Sequence, residues 1–211
     1  SDVCSSDLGA ERGITRKLKL MRVTRSKIQK DHEKTDWPKL LEKLAKRDKV
    51  GLTEQQTDAV RAAIVEKISV LTGGPGTGKT TTLKMVIAAL KEGKYKVALC
   101  SPTGRAAKRL AEATGEEAMT IHRMLGYLPE GGFGMDEDTP LKTDIVIVDE
   151  SSMLDVQLFH ALLKAIPPEA HLMLVGDIDQ LPSVGAGNVL RDVIDSEIAF
   201  VTRLQTIFRQ D

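Results

Sequence analysis

Five short apolar runs predict buried strands in the part of the chain that follows residue 50. They lie at residues 68–72, 96–100, 145–148, 172–175 and 198–202. The run at 145–148 consists entirely of β-branched residues, as is typical of a strand that is buried on both faces of a sheet. The pattern therefore predicts a sheet that is covered by helices on both sides.

Between these runs, apolar residues recur at helical spacing and predict helices. Thr53 followed three residues later by Gln56 forms a capping box, which opens a helix that reaches about residue 66. Further helices are predicted at 79–92, 105–113, 155–165 and 188–194. Strands that alternate with helices form a parallel sheet, so the predicted fold class is α/β with helices on both faces.

The first 50 residues follow a different pattern. Residues 1–10 show no periodicity, and we expect them to be disordered or non-native sequence. Residues 11–50 are predicted to be a short basic helical segment that precedes the sheet. Its clearest helix spans 36–48, where Asp36 is the expected N-cap and Pro38 lies in the first turn.

The segment GGPGTGKT at 73–80 lies between a predicted strand and a predicted helix and fits the phosphate-binding pattern G-x-x-x-x-G-K-[ST]. Its glycines let backbone N–H groups approach a phosphate, and the following helix directs its positive end at the same anion. Lys79 adds a charge for the β- and γ-phosphates, and Thr80 adds a hydroxyl group for Mg²⁺. We expect nucleotide contacts from Gly73, Gly74, Pro75, Gly76, Thr77, Gly78, Lys79, Thr80 and Thr81.

Two further polar segments follow predicted strands. Asp149 and Glu150 end the strand at 145–148, where Asp149 would bind Mg²⁺ and Glu150 would act as the base that activates water. Gln180 follows the strand at 172–175 and is placed to sense the γ-phosphate, although a plain turn residue also fits that position. Ligands bind at the carboxyl ends of parallel strands, so we expect the three segments to converge there.

Seven segments stand in order along the chain: LTEQQTDAV, GGPGTGKT, SPTGRAAKRL, TIHRML, VIVDESSM, GDIDQLPSVGAG and LQTIFRQ. Together they resemble motifs Q, I, Ia, Ib, II, III and IV of superfamily 1 helicases. The residues of these motifs are most similar to those of the RecD-like helicases of the 1B branch. The resemblance covers about residues 52–210 and implies a P-loop NTPase domain of the RecA-like type.

The resemblance also implies roles for individual residues. ATP and Mg²⁺ are the expected cofactors, with Gln56 reading the adenine, Gln180 sensing the γ-phosphate and Arg209 reaching the nucleotide from the domain boundary. Single-stranded DNA is the expected partner, and it would run along Thr103, Arg105, Thr120 and His122. The two threonines would also serve as plain helix N-caps, an alternative that the residues leave open.

Other features bear on how DNA would be held. Aromatic residues make up 3% of the chain and are scattered along it, so grip is expected mainly from backbone amides, hydroxyl groups and basic side chains. Residues 126–141 interrupt the alternation of strands and helices. A surface loop and a strand-separating hairpin turned at Gly131 and Gly132 are both compatible with that segment. In motif II, DESS replaces the commoner DEAS, a change expected to have little effect.

Composition adds little to this picture. Residues 1–50 contain 14 Lys and Arg against 8 Asp and Glu, which fits either a solvated helix surface or an arm that holds phosphates. The two cysteines, Cys4 and Cys100, form no disulfide framework and fit a reducing cytoplasm. No run approaches the ~18 apolar residues of a membrane span.

The resemblance implies an ATP-driven helicase motor domain that moves 5′→3′ along single-stranded DNA. The chain stops at Asp211, just after motif IV, so we expect a second RecA-like domain to be absent and the fragment alone to be nearly inactive. Two other functions stay open: a P-loop ATPase that acts on protein, and a truncated module that binds DNA without turnover.

Overall fold

Six parallel strands form one sheet at the centre of the chain. The structure, a computed structural model, describes residues 2–180 and 188–205, without the side chains of residues 2–4. The strands are β1 (Ile68–Gly73), β2 (Val97–Ser101), β3 (Met119–Thr120), β4 (Ile145–Val148), β5 (His171–Gly176) and β6 (Phe200–Leu204). Their order is β3-β2-β4-β5-β1-β6, and every pairing between them is parallel.

Helices cover both faces of this sheet. They are α1 (Asp2–Val23), α2 (Lys27–Asp31), α3 (Trp37–Asp48), α4 (Glu54–Val65), α5 (Lys79–Glu92), α6 (Gly104–Thr114), α7 (Ile121–Met124), α8 (Val156–Ala165) and α9 (Val189–Asp195). Residues of β4 alternate between two apolar cores: Val146 and Val148 pack with α1, α8 and α9, whereas Ile145 and Ile147 pack with α4 and α5. The predicted fold class, helices on both faces of a parallel sheet, is confirmed.

One predicted strand begins later in the structure, and two short elements were not predicted. The last strand begins at Phe200 rather than at residue 198. A turn delays it, because Glu197 adopts a left-handed backbone conformation with φ of 59° and the Ser196 hydroxyl group accepts a hydrogen bond from the Ile198 amide. The short strand β3 and the one-turn helix α7 were not predicted, since two to four residues are too few to show a period.

The structure also differs from the expectation of disorder before residue 11. Helix α1 begins at Asp2 and packs along α8, with Leu18 and Met21 buried in the core that the two helices share. In the 36–48 segment, Asp36 caps α3 as predicted by accepting a hydrogen bond from the Lys39 amide. Within the described ranges, no helix is both long and apolar enough to cross a bilayer.

Two buried polar side chains fasten the N-terminal helices to the amino edge of the sheet. Lys67, which immediately precedes β1, donates hydrogen bonds to the carbonyl oxygens of Met21, Thr24 and Pro168 at 2.7, 2.8 and 2.7 Å. Burial lowers the pKa of Lys67 to about 8. The C-terminal end of α1 is thereby tied to the loop between α8 and β5.

His171, the first residue of β5, makes the second attachment. Its Nδ1 lies 3.1 Å from the Ala63 carbonyl oxygen, which can only accept, so Nδ1 carries the proton of the neutral ring. Its Nε2 therefore accepts from the hydroxyl group of Ser26, the N-cap of α2, at 2.5 Å. Burial is the main cause that lowers the pKa of His171, to about 4.

Because the His171 ring is buried, we expect the protein to lose stability in mild acid. The pKa of His171 falls from 6.5 in the unfolded chain to about 4 in the folded chain, so the unfolded state binds more protons between these values. The free energy of unfolding should therefore decrease by about 3 kcal/mol as the pH falls through that window. Urea unfolding at a series of pH values measures this decrease. His171→Gln should flatten the profile between pH 6.5 and 4, and an unchanged slope would contradict this assignment.

Candidate active site

The sheet topology brings the three polar segments to neighbouring strand ends. In the strand order, β5 lies between β4 and β1. The glycine-rich loop follows β1, Asp149 and Glu150 follow β4, and Asp177 to Gln180 follow β5. Because the three strands are parallel, all of these residues lie along the carboxyl edge, where such sheets bind ligands.

The glycine-rich loop folds around the ammonium group of Lys79. Gly76 and Gly78 adopt positive φ angles of 73° and 94°, which side-chain-bearing residues rarely tolerate. Lys79 Nζ donates hydrogen bonds to the carbonyl oxygens of Gly73 and Gly74 at 2.5 and 2.9 Å. The loop thus holds a positive charge at the N-terminus of α5, where an anion is also favoured by the helix dipole.

The other residues of the loop differ in how far they are buried. The buried Thr77 donates its hydroxyl hydrogen to the Gly74 carbonyl oxygen at 2.7 Å and so braces the turn. Pro75 and Thr80 are exposed, and Thr81 is partly buried at the start of α5. The predicted role of Thr80 as a Mg²⁺ ligand stays a prediction.

Gln56 connects helix α4 to this loop. Its Oε1 accepts a hydrogen bond from the Thr53 amide at 2.9 Å, which completes the predicted capping box. Its Nε2 donates to the Gly78 carbonyl oxygen at 3.2 Å. Gly78 has a φ of 94°, which favours glycine, and a Cβ atom there would also displace the Gln56 amide group. The reading of adenine by Gln56, which the resemblance implies, stays a prediction.

The two acidic residues after β4 differ in environment. Burial is the main cause that raises the pKa of Asp149, and the nearby charge of Lys79 acts in the opposite direction. Glu150 adopts a left-handed conformation with φ of 54°, which is uncommon for a residue with a side chain. Such strain is typical of functional positions, and it turns the chain sharply into the 3₁₀ helix Ser151–Met153.

Gln180 is held by a residue that the sequence did not single out. The buried Ser152 donates its hydroxyl hydrogen to Gln180 Oε1 at 3.3 Å. Oε1 is thereby engaged by Ser152, and Nε2 is the end of the amide that can donate to a phosphate oxygen. Close packing supports the arrangement, since a Cβ atom on Gly176 would lie 3.2 Å from the backbone nitrogen of Ser152.

The residue that departs from the family pattern has a local role. Ser151, which stands where the commoner motif has alanine, is buried and donates to the Val148 carbonyl oxygen at 2.8 Å. Its hydroxyl group is satisfied within the turn that follows β4.

The residues expected to contact DNA lie at the ends of β2 and β3. These strands are neighbours, with Ser101 paired to Thr120. Thr103 caps α6 by accepting from the Ala106 amide at 3.2 Å, and Thr120 caps α7 by accepting from the Arg123 amide at 3.1 Å. Both threonines therefore act as N-caps. The side chains of Arg105 and His122 are exposed, on the α6 and α7 turns respectively.

The rings of His122, Tyr127 and Phe133, which are separated in sequence, form a cluster. The ring centroid of Tyr127 lies 5.2 Å from that of His122 and 5.1 Å from that of Phe133, and the His122 and Phe133 rings are 5.8 Å apart. Tyr127 is 44% exposed, so part of its ring is open to solvent. The aromatic side chains are thus less scattered in space than along the chain.

Within the segment 126–141, residues 128–132 form a short turn. Leu128 and Gly132 exchange two backbone hydrogen bonds of 2.8 Å, the one antiparallel bridge found in the described residues. This turn returns the chain so that Phe133 meets Tyr127, and Leu128 is 64% exposed beside it. The predicted turn at Gly131 and Gly132 is the sequence signal by which the ring cluster could have been found.

Two predicted positions fall outside the described residues. Arg209 lies beyond residue 205, and the remainder of motif III, residues 181–187, lies in the internal gap of the description. The roles that the resemblance implies for them stay predictions.

Comparison with known proteins gives the family. A model described as "AAA domain" matches residues 56–186, which extend from Gln56 through motif III. The chain belongs to this AAA domain family. It is 44% identical over 165 residues to the ATP-dependent RecD2 DNA helicase of Deinococcus radiodurans, a match that covers 78% of this chain and 23% of that protein. It is 39% identical over 183 residues to the RecBCD enzyme subunit RecD of Mycobacterium tuberculosis, covering 74% of this chain and 32% of the subunit.

These relatives confirm the resemblance to RecD-like helicases of superfamily 1. The chain spans only about a quarter to a third of the length of the two curated relatives. Among solved structures, the Pif1 helicase of Candida albicans matches with a TM-score of 0.58 and 24% identity, over 76% of this chain and 41% of that protein. That structural similarity supports the fold described above for this AAA domain.

Proposed function

We propose that this AAA domain is the nucleotide-binding motor domain of a cytoplasmic, ATP-dependent DNA helicase. It binds and hydrolyses Mg-ATP, and in the complete protein this drives 5′→3′ movement along single-stranded DNA and unwinding of a duplex. The observation that carries the proposal is the alignment of two sites on one sheet edge. The nucleotide residues follow β1, β5 and β4, and the DNA residues follow β2 and β3, in the same sheet.

The nucleotide half of the proposal assigns each role to a described side chain. Lys79 contacts the β- and γ-phosphates, and Thr80 and Asp149 hold Mg²⁺. Two protein ligands suit this cation, which keeps several waters and takes phosphate oxygens as well. Glu150 accepts the proton of the attacking water, and Gln180, whose Oε1 is engaged by Ser152, donates from Nε2 to the γ-phosphate.

The DNA-binding part of the proposal rests on an exposed basic side chain and an exposed aromatic ring. Arg105 offers a charge for a phosphate, and the Tyr127 ring, packed on His122, offers a surface for a base. By resemblance, a second RecA-like domain supplies the opposite wall of the nucleotide cleft and the charge that stabilises the transition state. Where an arginine supplies this charge, it increases the hydrolysis rate by roughly 10³–10⁵-fold.

The proposal is tested by ATPase measurements on protein expressed from the complete reading frame, with and without oligo-dT. DNA-stimulated hydrolysis is expected, and unwinding should require a 5′ single-stranded tail. Hydrolysis that responds to protein and not to DNA would favour a remodelling ATPase instead. DNA binding without any hydrolysis would favour a non-catalytic module.

Removing the exposed ring should weaken DNA binding specifically. Tyr127→Ala is expected to reduce the affinity of this chain for oligo-dT by roughly 5- to 100-fold, since one base–ring stack contributes ~1–3 kcal/mol. Tyr127→Phe keeps the ring and its contacts with His122 and should bind almost as the unchanged chain does. Fluorescence anisotropy measures both. Equal weakening in the two variants would assign the effect to the hydroxyl group and contradict stacking.

A further inference from the structure

Ser101 is the final residue of β2, and its hydroxyl group lacks a partner. In residues 2–180 and 188–205 it is the one buried side-chain nitrogen or oxygen atom without a hydrogen bond. Its side chain is fully buried. Such atoms are rare in folded proteins, and an unsatisfied group often marks the place of a water molecule or an ion.

Other hydroxyl groups at the same edge of the sheet are satisfied. Ser151 donates to the Val148 carbonyl oxygen, and Thr72, at the end of β1, accepts from the Ile178 amide at 3.3 Å. Ser101 could have been satisfied by the backbone in the same way, yet it is not.

The register of the sheet places Ser101 beside Asp149. Cys100 pairs with Val148, and the Asp149 amide continues the ladder by donating to the Cys100 carbonyl oxygen at 2.9 Å. Alternation along the strands puts Ser101 on the face of Leu99, and Asp149 on the face of Ile147. These two apolar residues belong to the same core, the one that contains α5. Register and alternation therefore place Ser101 and Asp149 at neighbouring positions on the sheet face that α5 covers, and α5 begins with Lys79 and Thr80.

We propose that Ser101 is a positioning residue for the divalent cation, with its hydroxyl oxygen accepting a hydrogen bond from a water molecule of the cation's hydration shell. The inference rests on the proposed function, because Asp149 and Thr80 are assigned there as the metal's protein ligands. Mg²⁺ retains several waters in such sites, and these waters are strong donors that need acceptors. A buried hydroxyl group next to the metal-binding carboxylate supplies one and fixes the orientation of the shell.

The test is a Mg²⁺ titration of the binding of a fluorescent ATP analogue to this chain. Ser101→Ala should raise the Mg²⁺ concentration at half-maximal effect by roughly tenfold, the lower end of what outer-shell changes cause. Affinity measured in EDTA should be unchanged. Without metal, the melting temperature of the variant should be no lower than that of the unchanged chain, because the deleted group has no partner to lose.

Ser69→Ala is the matched control, since Ser69 is a buried serine on β1 far from the carboxyl edge. It should leave the Mg²⁺ midpoint unchanged. An unchanged midpoint in Ser101→Ala would overturn the inference and leave the proposed function standing. A lower melting temperature of metal-free Ser101→Ala would show a structural role and also overturn it. Absence of any Mg²⁺ effect on the unchanged chain would overturn the proposed function and this inference together.

Discussion

Glu150→Gln is expected to bind Mg-ATP normally and to lose hydrolysis by roughly 10²–10⁴-fold, the usual contribution of a positioned general base. Glutamine has nearly the shape of glutamate but cannot accept the proton of the attacking water. The strained backbone at Glu150, with φ of 54°, fixes the direction of the side chain independently of its charge. The fold and the nucleotide affinity should therefore survive the change.

Asp149→Asn provides the contrast for this experiment. Asp149 is the neighbouring carboxylate, but its proposed role is to hold the metal, so its variant should lose Mg²⁺-dependent affinity as well as turnover. Steady-state ATPase and nucleotide binding are measured on both variants in the complete protein. If Glu150→Gln lost Mg-ATP affinity as Asp149→Asn does, Glu150 would be a metal ligand or a structural residue, and its role as the base would be wrong.

The parts of the fold that depend on local pattern were predictable. The strand Ile145–Val148 is the predicted run, and α5 begins at Lys79 and ends at Glu92 as expected. Apolar runs and caps decide such elements within a few residues. The convergence of the nucleotide segments was also predictable, because parallel strands align their carboxyl ends.

Features that depend on contacts between distant residues were not predictable. Lys67 resembles any surface lysine in the sequence, yet it is buried among three carbonyl groups contributed by two other segments. The contact between Ser152 and Gln180 joins two loops that are 28 residues apart, and no spacing rule indicates it. The same is true of Ser101, whose missing partner is visible only when its neighbours are known.

The contact from Ser152 to Gln180 has a mechanistic consequence for the proposed function. It links the loop that carries Glu150 to the residue proposed to sense the γ-phosphate. When a γ-phosphate accepts from Gln180 Nε2, the same amide can keep its bond from Ser152 through Oε1, because the two ends of an amide have opposite roles. In the proposed function, this contact would join the γ-phosphate, through Gln180, to the loop that carries the proposed base.

Lys79→Ala is expected to reduce nucleotide affinity by roughly 10- to 100-fold, since a hydrogen bond to a charged group contributes ~1.5–3 kcal/mol, and to abolish ATP hydrolysis. Among the described residues, the hydrogen-bond partners of Lys79 are carbonyl oxygens of its own loop, so the two apolar cores should be intact in the variant. Lys84→Ala is the matched control, because Lys84 is an exposed lysine on the same helix. It should bind and hydrolyse ATP as the unchanged protein does, and thermal melting should give similar midpoints for both variants. Near-normal hydrolysis by Lys79→Ala would contradict the assignment of this loop as the phosphate site, since no other described residue of the loop carries a positive charge toward the phosphates.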